Sequence, residues 1–149
     1  MNGELTKEQI ENLLNSQAIC HIACCENEKP YVVPVSFVYD GKDIFCQSKP
    51  GKKLDIMRKN PSVCLIVEIM TAMNNWQSVI CYAKFEELNE KESVTARALL
   101  FNRVLTLMTP EAIHGNEHQN EGDIEYKNRI KEIMFRLKIE SMTSRYEKQ

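Results

Sequence analysis

The chain is predicted to fold as a mainly β protein, a six-stranded barrel with helices packed around it. Three observations carry that prediction. Six segments of strand character follow one another at close spacing, most of them joined by short polar turns. Apolar residues recur every second position in several of these segments, and only one segment has the length and spacing of a long helix. Close-set strands on short turns favour a closed barrel over an open sheet.

The elements follow in order. Thr6 is a good N-cap for a first helix, Gln9 completes a capping box, and Leu5 and Ile10 take the hydrophobic-staple positions. Ile10, Leu13 and Leu14 form its apolar stripe, through about Ser16. Residues 18–25 make the first strand and 26–30 its polar turn. Residues 31–39 and 43–48 form a hairpin turned by Asp40-Gly41. Lys49-Pro50-Gly51-Lys52-Lys53-Leu54 opens a short helix that Asn60-Pro61 closes. In residues 62–69, Val63, Leu65, Val67 and Ile69 share one face. Cys64 and Ile66 on the other are apolar too, so both faces are expected to be covered. Residues 76–86 place Val79, Cys81, Ala83 and Phe85 on one side.

The long helix starts at Asn89, with Glu92 at its third position, and runs to about Met108. Val94, Ala98, Phe101, Leu105 and Met108 recur at spacings of four and three and are expected to be its buried face. Thr109-Pro110 ends it, and residues 111–127 read as a polar surface loop with one helical turn. In the last strand Ile133, Phe135, Leu137 and Ile139 alternate with Met134, Arg136, Lys138 and Glu140. No repeat or linker interrupts residues 1–149, which read as one domain.

Composition narrows the function. The 149 residues can bury a sizeable core without staples, and 43% hydrophobic with 27% charged is ordinary for a soluble globular chain. No apolar run approaches the roughly 20 residues of a membrane span, and the N-terminus has no signal-like apolar region. A formal charge of −2 gives no reason to expect nucleic acid or an anionic membrane as partner. Any anion site must therefore be local. The six cysteines (Cys20, Cys24, Cys25, Cys46, Cys64 and Cys81) contain no C-x-x-C pair and lie almost wholly in strands. They read as free, mostly buried thiols of a reducing, cytoplasmic compartment.

Several residues are candidates for chemistry. Lys52 and Lys53 stand at a helix start, where the dipole disfavours cations. Either a bound anion neutralises them together with the free N–H groups, or they are two solvated lysines on a turn. Pro34 removes a ladder donor inside a strand, so it belongs at an edge, bulge or opening, where a flat aromatic ring can lie against exposed main chain. Ser36 beside it either faces such a ligand or bonds to a neighbouring backbone group. Trp76, the only tryptophan, reads as core or as the rim of a site. His114 and His118 stand four apart but lack a third ligand, so no metal site is expected, and His21 reads as a core or interface histidine. The chain contains no G-x-G-x-x-G, P-loop or G-x-S-x-G.

Tyr31-Val32-Val33-Pro34-Val35-Ser36-Phe37-Val38-Tyr39, Ile44-Phe45-Cys46-Gln47-Ser48, Gly51-Lys52-Lys53-Leu54 and Asn60-Pro61-Ser62-Val63-Cys64 resemble, in that order, the pyridoxamine-phosphate-oxidase-like split-barrel flavoproteins. Within that superfamily they look nearest to the nitroimidazole-resistance (Nim-type) flavin-binding proteins. The likeness continues at Trp76-Gln77-Ser78-Val79, Ala83-Lys84-Phe85-Glu86-Glu87 and the segment from Phe135 to Thr143. It implies a six-stranded split β-barrel of the FMN-binding type that forms a homodimer, with flavin in grooves between subunits. By the same resemblance, Val33, Pro34, Val35 and Ser36 face the ring and ribityl chain, Gln47 and Ser48 line the groove, and Lys52 and Lys53 hold the phosphate. Asn75, Trp76 and Ser78 are expected from the partner subunit, which favours the functional reading of the lysines and of Trp76.

Nim-type proteins usually carry histidine where this chain has Gln47, which weakens any expectation of nitroimidazole reduction. Without the longer C-terminal extension of true pyridoxamine-phosphate oxidases, vitamin B6 oxidation is not expected of these residues. The resulting expectation is a cytoplasmic flavin-dependent reductase that uses FMN, or alternatively FAD, and passes electrons to a small-molecule acceptor. No side chain is required as a catalytic nucleophile. The competing expectation is a non-catalytic module that binds or stores flavin (FMN or FAD) or haem.

Overall fold

A computed structural model of the chain describes residues 1–107 and 132–149. Its elements are β1 (Asn2–Gly3), α1 (Lys7–Ser16), β2 (Ile19–Glu26), β3 (Lys29–Tyr39), β4 (Ile44–Ser48), α2 (Lys52–Lys59), β5 (Ser62–Ala72), β6 (Asn75–Glu87), α3 (Glu90–Leu107) and β7 (Ile133–Glu147). The strands bond in the order β7-β4-β3-β2-β5-β6, and β6 pairs back onto β7. That last pairing closes a six-stranded antiparallel ring, the barrel that the spacing of the strands predicts. The two-residue β1 joins the edge of β7 near its end.

Local chemistry explains most boundaries. Around α1 the capping box is complete: Thr6 Oγ1 accepts from the Gln9 N–H, and the Gln9 amide oxygen accepts from the Thr6 N–H. The β2–β3 turn is only two residues, Asn27 and Glu28, at φ 50° and 63°. This tight left-handed turn keeps Lys29 and Pro30 in β3 rather than in the longer turn expected. In the β3–β4 turn, Asp40 Oδ1 accepts from the Lys42 and Asp43 N–H groups, and Gly41 takes φ 97°. The last strand runs to Glu147, well past the 140 at which its alternation ends. Tyr82 pairs with Ser141 and Ala83 with Ile139, so Glu140 is an unpaired bulge residue, and the bulge resets the side-chain phase.

The barrel interior holds one cluster of buried apolar side chains. Phe37 and Phe135 are fully buried with Ile22, Ile44, Leu65 and Leu137, while Leu13 and Leu14 of α1 and Leu54 and Met57 of α2 join the same cluster. Burying each such side chain contributes roughly 1.5–3 kcal/mol. Cys20, Cys24, Cys46 and Cys81 are buried among them, Cys25 and Cys64 are half-buried, and all six are free thiols. No helix among the described residues is long and apolar enough to cross a membrane.

Two faces differ from expectation. On β5, Cys64 and Ile66 are only half-covered, so the second face of that strand is not closed over. On α3, Ala96 and Leu100 are the buried positions, packed on Val38, Leu88 and Met134, whereas Val94 and Phe101 are 61% and 62% exposed. Apolar residues surround this helix, so periodicity alone does not choose which side meets the barrel. His21, on the outer side of β2, is exposed and is not a core residue. His114, His118 and the 111–127 loop lie outside the described residues.

Candidate functional site

The ring is incompletely zipped, and the opening makes the site. From Lys29 to Ser36, β3 pairs with β2, while its pairing with β4 covers only Phe37 to Tyr39. The Phe37 N–H donates to the Ala18 carbonyl at 2.9 Å, on the β2 side. Because backbone groups alternate along a strand, the Ser36 N–H and C=O and the Pro34 C=O point the other way, into the opening. Pro34 thus withholds its N–H where no ladder bond is forfeited, as a proline within a strand requires.

Side chains on the outer face of the same strands build a groove beside this edge. Val38 of β3 and Phe45 of β4 are covered by α3, but Ser36 and Gln47 just beyond them are only half-covered. The result is a groove of about 950 Å³. Its floor comes from Pro34, Val35, Ser36, Gln47 and Ser48, and its wall from Arg97, Leu100, Phe101 and Val104 of α3. Lys49, Lys53 and Glu132 stand at its rim. The wall is fixed by Arg136 of β7, whose Nη2 donates to Glu92 at 2.6 Å while the guanidinium lies 5.6 Å from the Phe45 ring centre.

One end of the groove is positive. Gly51 offers no side chain to cap α2, and Lys53 in the first turn faces the groove. The buried Ser48 hydroxyl donates to the Lys49 carbonyl at 2.8 Å, which leaves its oxygen lone pairs as acceptors. Among the described lining residues, three cations (Lys49, Lys53 and Arg97) stand against one carboxylate, Glu132. Local charge of this sign in a chain of net charge −2 suits an anion.

The candidates from sequence separate into three groups. Pro34, Val35, Ser36, Gln47, Ser48 and Lys53 converge on the groove. Val33 and Lys52 do not line it: Val33 packs toward the barrel interior, and the Lys52 ammonium lies 4.9 Å from the centre of the Tyr31 ring. Asn75 and Trp76 line a different pocket of about 630 Å³, with Leu5, Gln9, Asn12, Gln77 and Tyr146. Ser78 is half-buried on β6, paired with Glu68 and Arg145. Arg97, Leu100 and Val104 carried no signal in the sequence, and Phe101 only that of a helix stripe, because only the docking of α3 brings them to the strands. Among the described residues, no cluster of His, Cys, Asp and Glu has the makings of a metal site.

A strand edge left unpaired among the described residues, beside a positive groove end, is the arrangement expected of a site for a flat ring with a phosphate tail. Comparison with known proteins then decides the lineage. Residues 6–145 match the family described as pyridoxamine 5'-phosphate oxidase. The chain belongs to that family. A curated relative, an uncharacterized protein of Rhizobium meliloti (strain 1021), is 31% identical over 84 residues, a match that spans 56% of this chain and 56% of the relative. The fold recurs in a crystal structure of an FAD-binding protein from Mesorhizobium loti. The TM-score is 0.77 at 23% identity, covering 100% of this chain and 98% of that one. It recurs also in a candidate 5-nitroimidazole antibiotic resistance protein from Bacteroides thetaiotaomicron, with a TM-score of 0.71 at 19% identity over 98% of this chain and 87% of that one. At these identities the two structures establish the shared split-barrel fold of the oxidase family.

Proposed function

We propose that the protein binds a flavin in the groove beside β3 and acts as a flavin-dependent reductase of small molecules. The observation that carries this reading is the unpaired Pro34–Ser36 edge running toward Ser48 and Lys53. The residues present fit the group. The Ser36 N–H and C=O and the Pro34 C=O can complement the polar edge of an isoalloxazine ring, Leu100 and Phe101 can cover its apolar part, and Lys53 can meet the phosphate. A bound flavin supplies the hydride and electron chemistry; the chain binds it, orients it and excludes water from one face. No nucleophile is asked of the protein. Family membership and flavin-binding relatives of the same fold support the reading. FMN is the better fit to a single phosphate-sized positive end, and FAD is the alternative.

The working form in this reading is a homodimer. Pro34, His21, Ile66 and Ile80 lie in register across four strands on the outer barrel face, and Val32, Ala23, Cys64 and Tyr82 form the next row. Val32 is 60% exposed and Tyr82 47%, so the face is apolar and open in the single chain. Trp76 and Ser78 share its direction on β6, four and two residues before Ile80. A two-fold contact across this face would bring them to the groove of the other copy. Steady-state oxidation of a nicotinamide cofactor, with a nitroaromatic or quinone acceptor added, tests the reductase. Turnover that scales with bound flavin is the expected result; a flavin-loaded protein that never turns over would mean a binding module instead.

A further inference from the structure

We infer that His21 makes assembly through the apolar outer face sensitive to acid, so that protonation separates the two copies; this rests on the homodimer reading above. His21 stands within the face and not at its edge. Its register row runs from Pro34 of β3 through His21 to Ile66 of β5 and Ile80 of β6. Along β2 it lies between Ile19 and Ala23, which point the same way. In the single chain His21 is exposed and Ile19 is 52% exposed. A second copy seated here covers an imidazole together with apolar side chains.

The charges around the face fit a surface that meets itself. Glu68, Ser78 and Arg145 share a row at one rim, so an acid and a base frame the apolar rows together, as suits a two-fold contact. The titratable groups on the strands beside His21 are Glu68 and Cys64 of β5, Tyr82 of β6 and Arg145 of β7. The outward positions of β3 from Val32 to Ser36 carry none. Glu68 is the acid nearest in register, but it stands in the row of Arg145 and not in that of His21. Covering a neutral imidazole costs little, whereas covering an imidazolium without a paired acid costs much more. The joined copies therefore bind fewer protons than the separate chains, and falling pH favours separation. Histidine ordinarily changes charge near pH 6.5, so the response falls in the physiological range.

Sedimentation over a series of chain dilutions, at about pH 7.5 and about pH 5.5 and one ionic strength, measures the dissociation constant of wild-type protein, His21→Gln and Glu68→Gln. An imidazole of ordinary affinity is about one-tenth charged at the first pH and about nine-tenths at the second. Each copy must give up its proton, so the wild-type constant should rise about a hundredfold in acid. His21→Gln, which cannot charge, should hold the same constant at both pH values, and Glu68→Gln should weaken as wild type does. A wild-type constant that ignores pH overturns the inference, as does an acid loss that survives in His21→Gln or vanishes in Glu68→Gln. Circular dichroism should show folded chains at both pH values, and separation only through unfolding also overturns it. Wild-type chains that stay single at both pH values defeat the homodimer reading itself, a result distinct from a dimer indifferent to acid.

Discussion

Cys46 and Cys81 are fully buried thiols in the barrel interior, and burial penalises their charged form. Burial and a hydrogen bond with Cys20 push the Cys46 thiol well up, and burial pushes Cys81 up to about 12. Tyr39 is also raised to about 12, first by burial and then by its hydrogen bond to Glu11 at 3.0 Å. Such groups hold protons more tightly in the folded state, so their contribution is complete below the unfolded thiol value of 9.0 and is lost as pH rises toward the folded value. Between neutrality and about pH 10.5, Cys81 alone should cost about 2 kcal/mol of stability. Urea melts at the two pH values should show the midpoint falling on the alkaline side. A midpoint that holds steady would mean that these thiols are not buried as described.

Among the elements, α3 carries the sharpest lesson. Its stripe of Val94, Ala98 and Phe101 has good helical spacing, yet Ala96 and Leu100 meet the barrel. Truncating Leu100 to alanine should cost about 2–3 kcal/mol, while Val94→Ala should stay within about 0.5 kcal/mol. Equal costs in denaturant melts would restore the face that periodicity favours. The strands were legible because β-propensity, turn residues and alternation agree, as at Asp40-Gly41 and along β6. The end of β7 was not, because a bulge at Glu140 shifts the phase and the strand beyond it is mostly exposed. Of the groove floor, Pro34 and Ser36 were legible as residues out of place in an apolar strand, whereas Val35, Gln47 and Ser48 were named only through the family resemblance. The wall was not, because Arg97 and Leu100 reach it through a contact between elements far apart in the chain.

At the scale of the whole molecule, β6 pairing with β7 closes the ring, and β3, β2, β5 and β6 leave an apolar outer face. Light scattering should give a particle of about twice the 17.3 kDa chain. Ile80→Arg, a charge placed at the β6 side of that face, should yield folded monomers with weakened flavin binding. A wild-type monomer with full flavin affinity would exclude the shared groove.

In the proposed function, the open edge of β3 holds a flavin. The absorption spectrum of the purified protein, recorded as isolated and again after incubation with excess FMN or FAD and removal of free ligand, tests it most directly. Retained flavin bands at about one flavin per chain are the expected result, in keeping with one groove per protomer. A protein that is colourless as isolated and retains neither flavin after incubation would contradict the account.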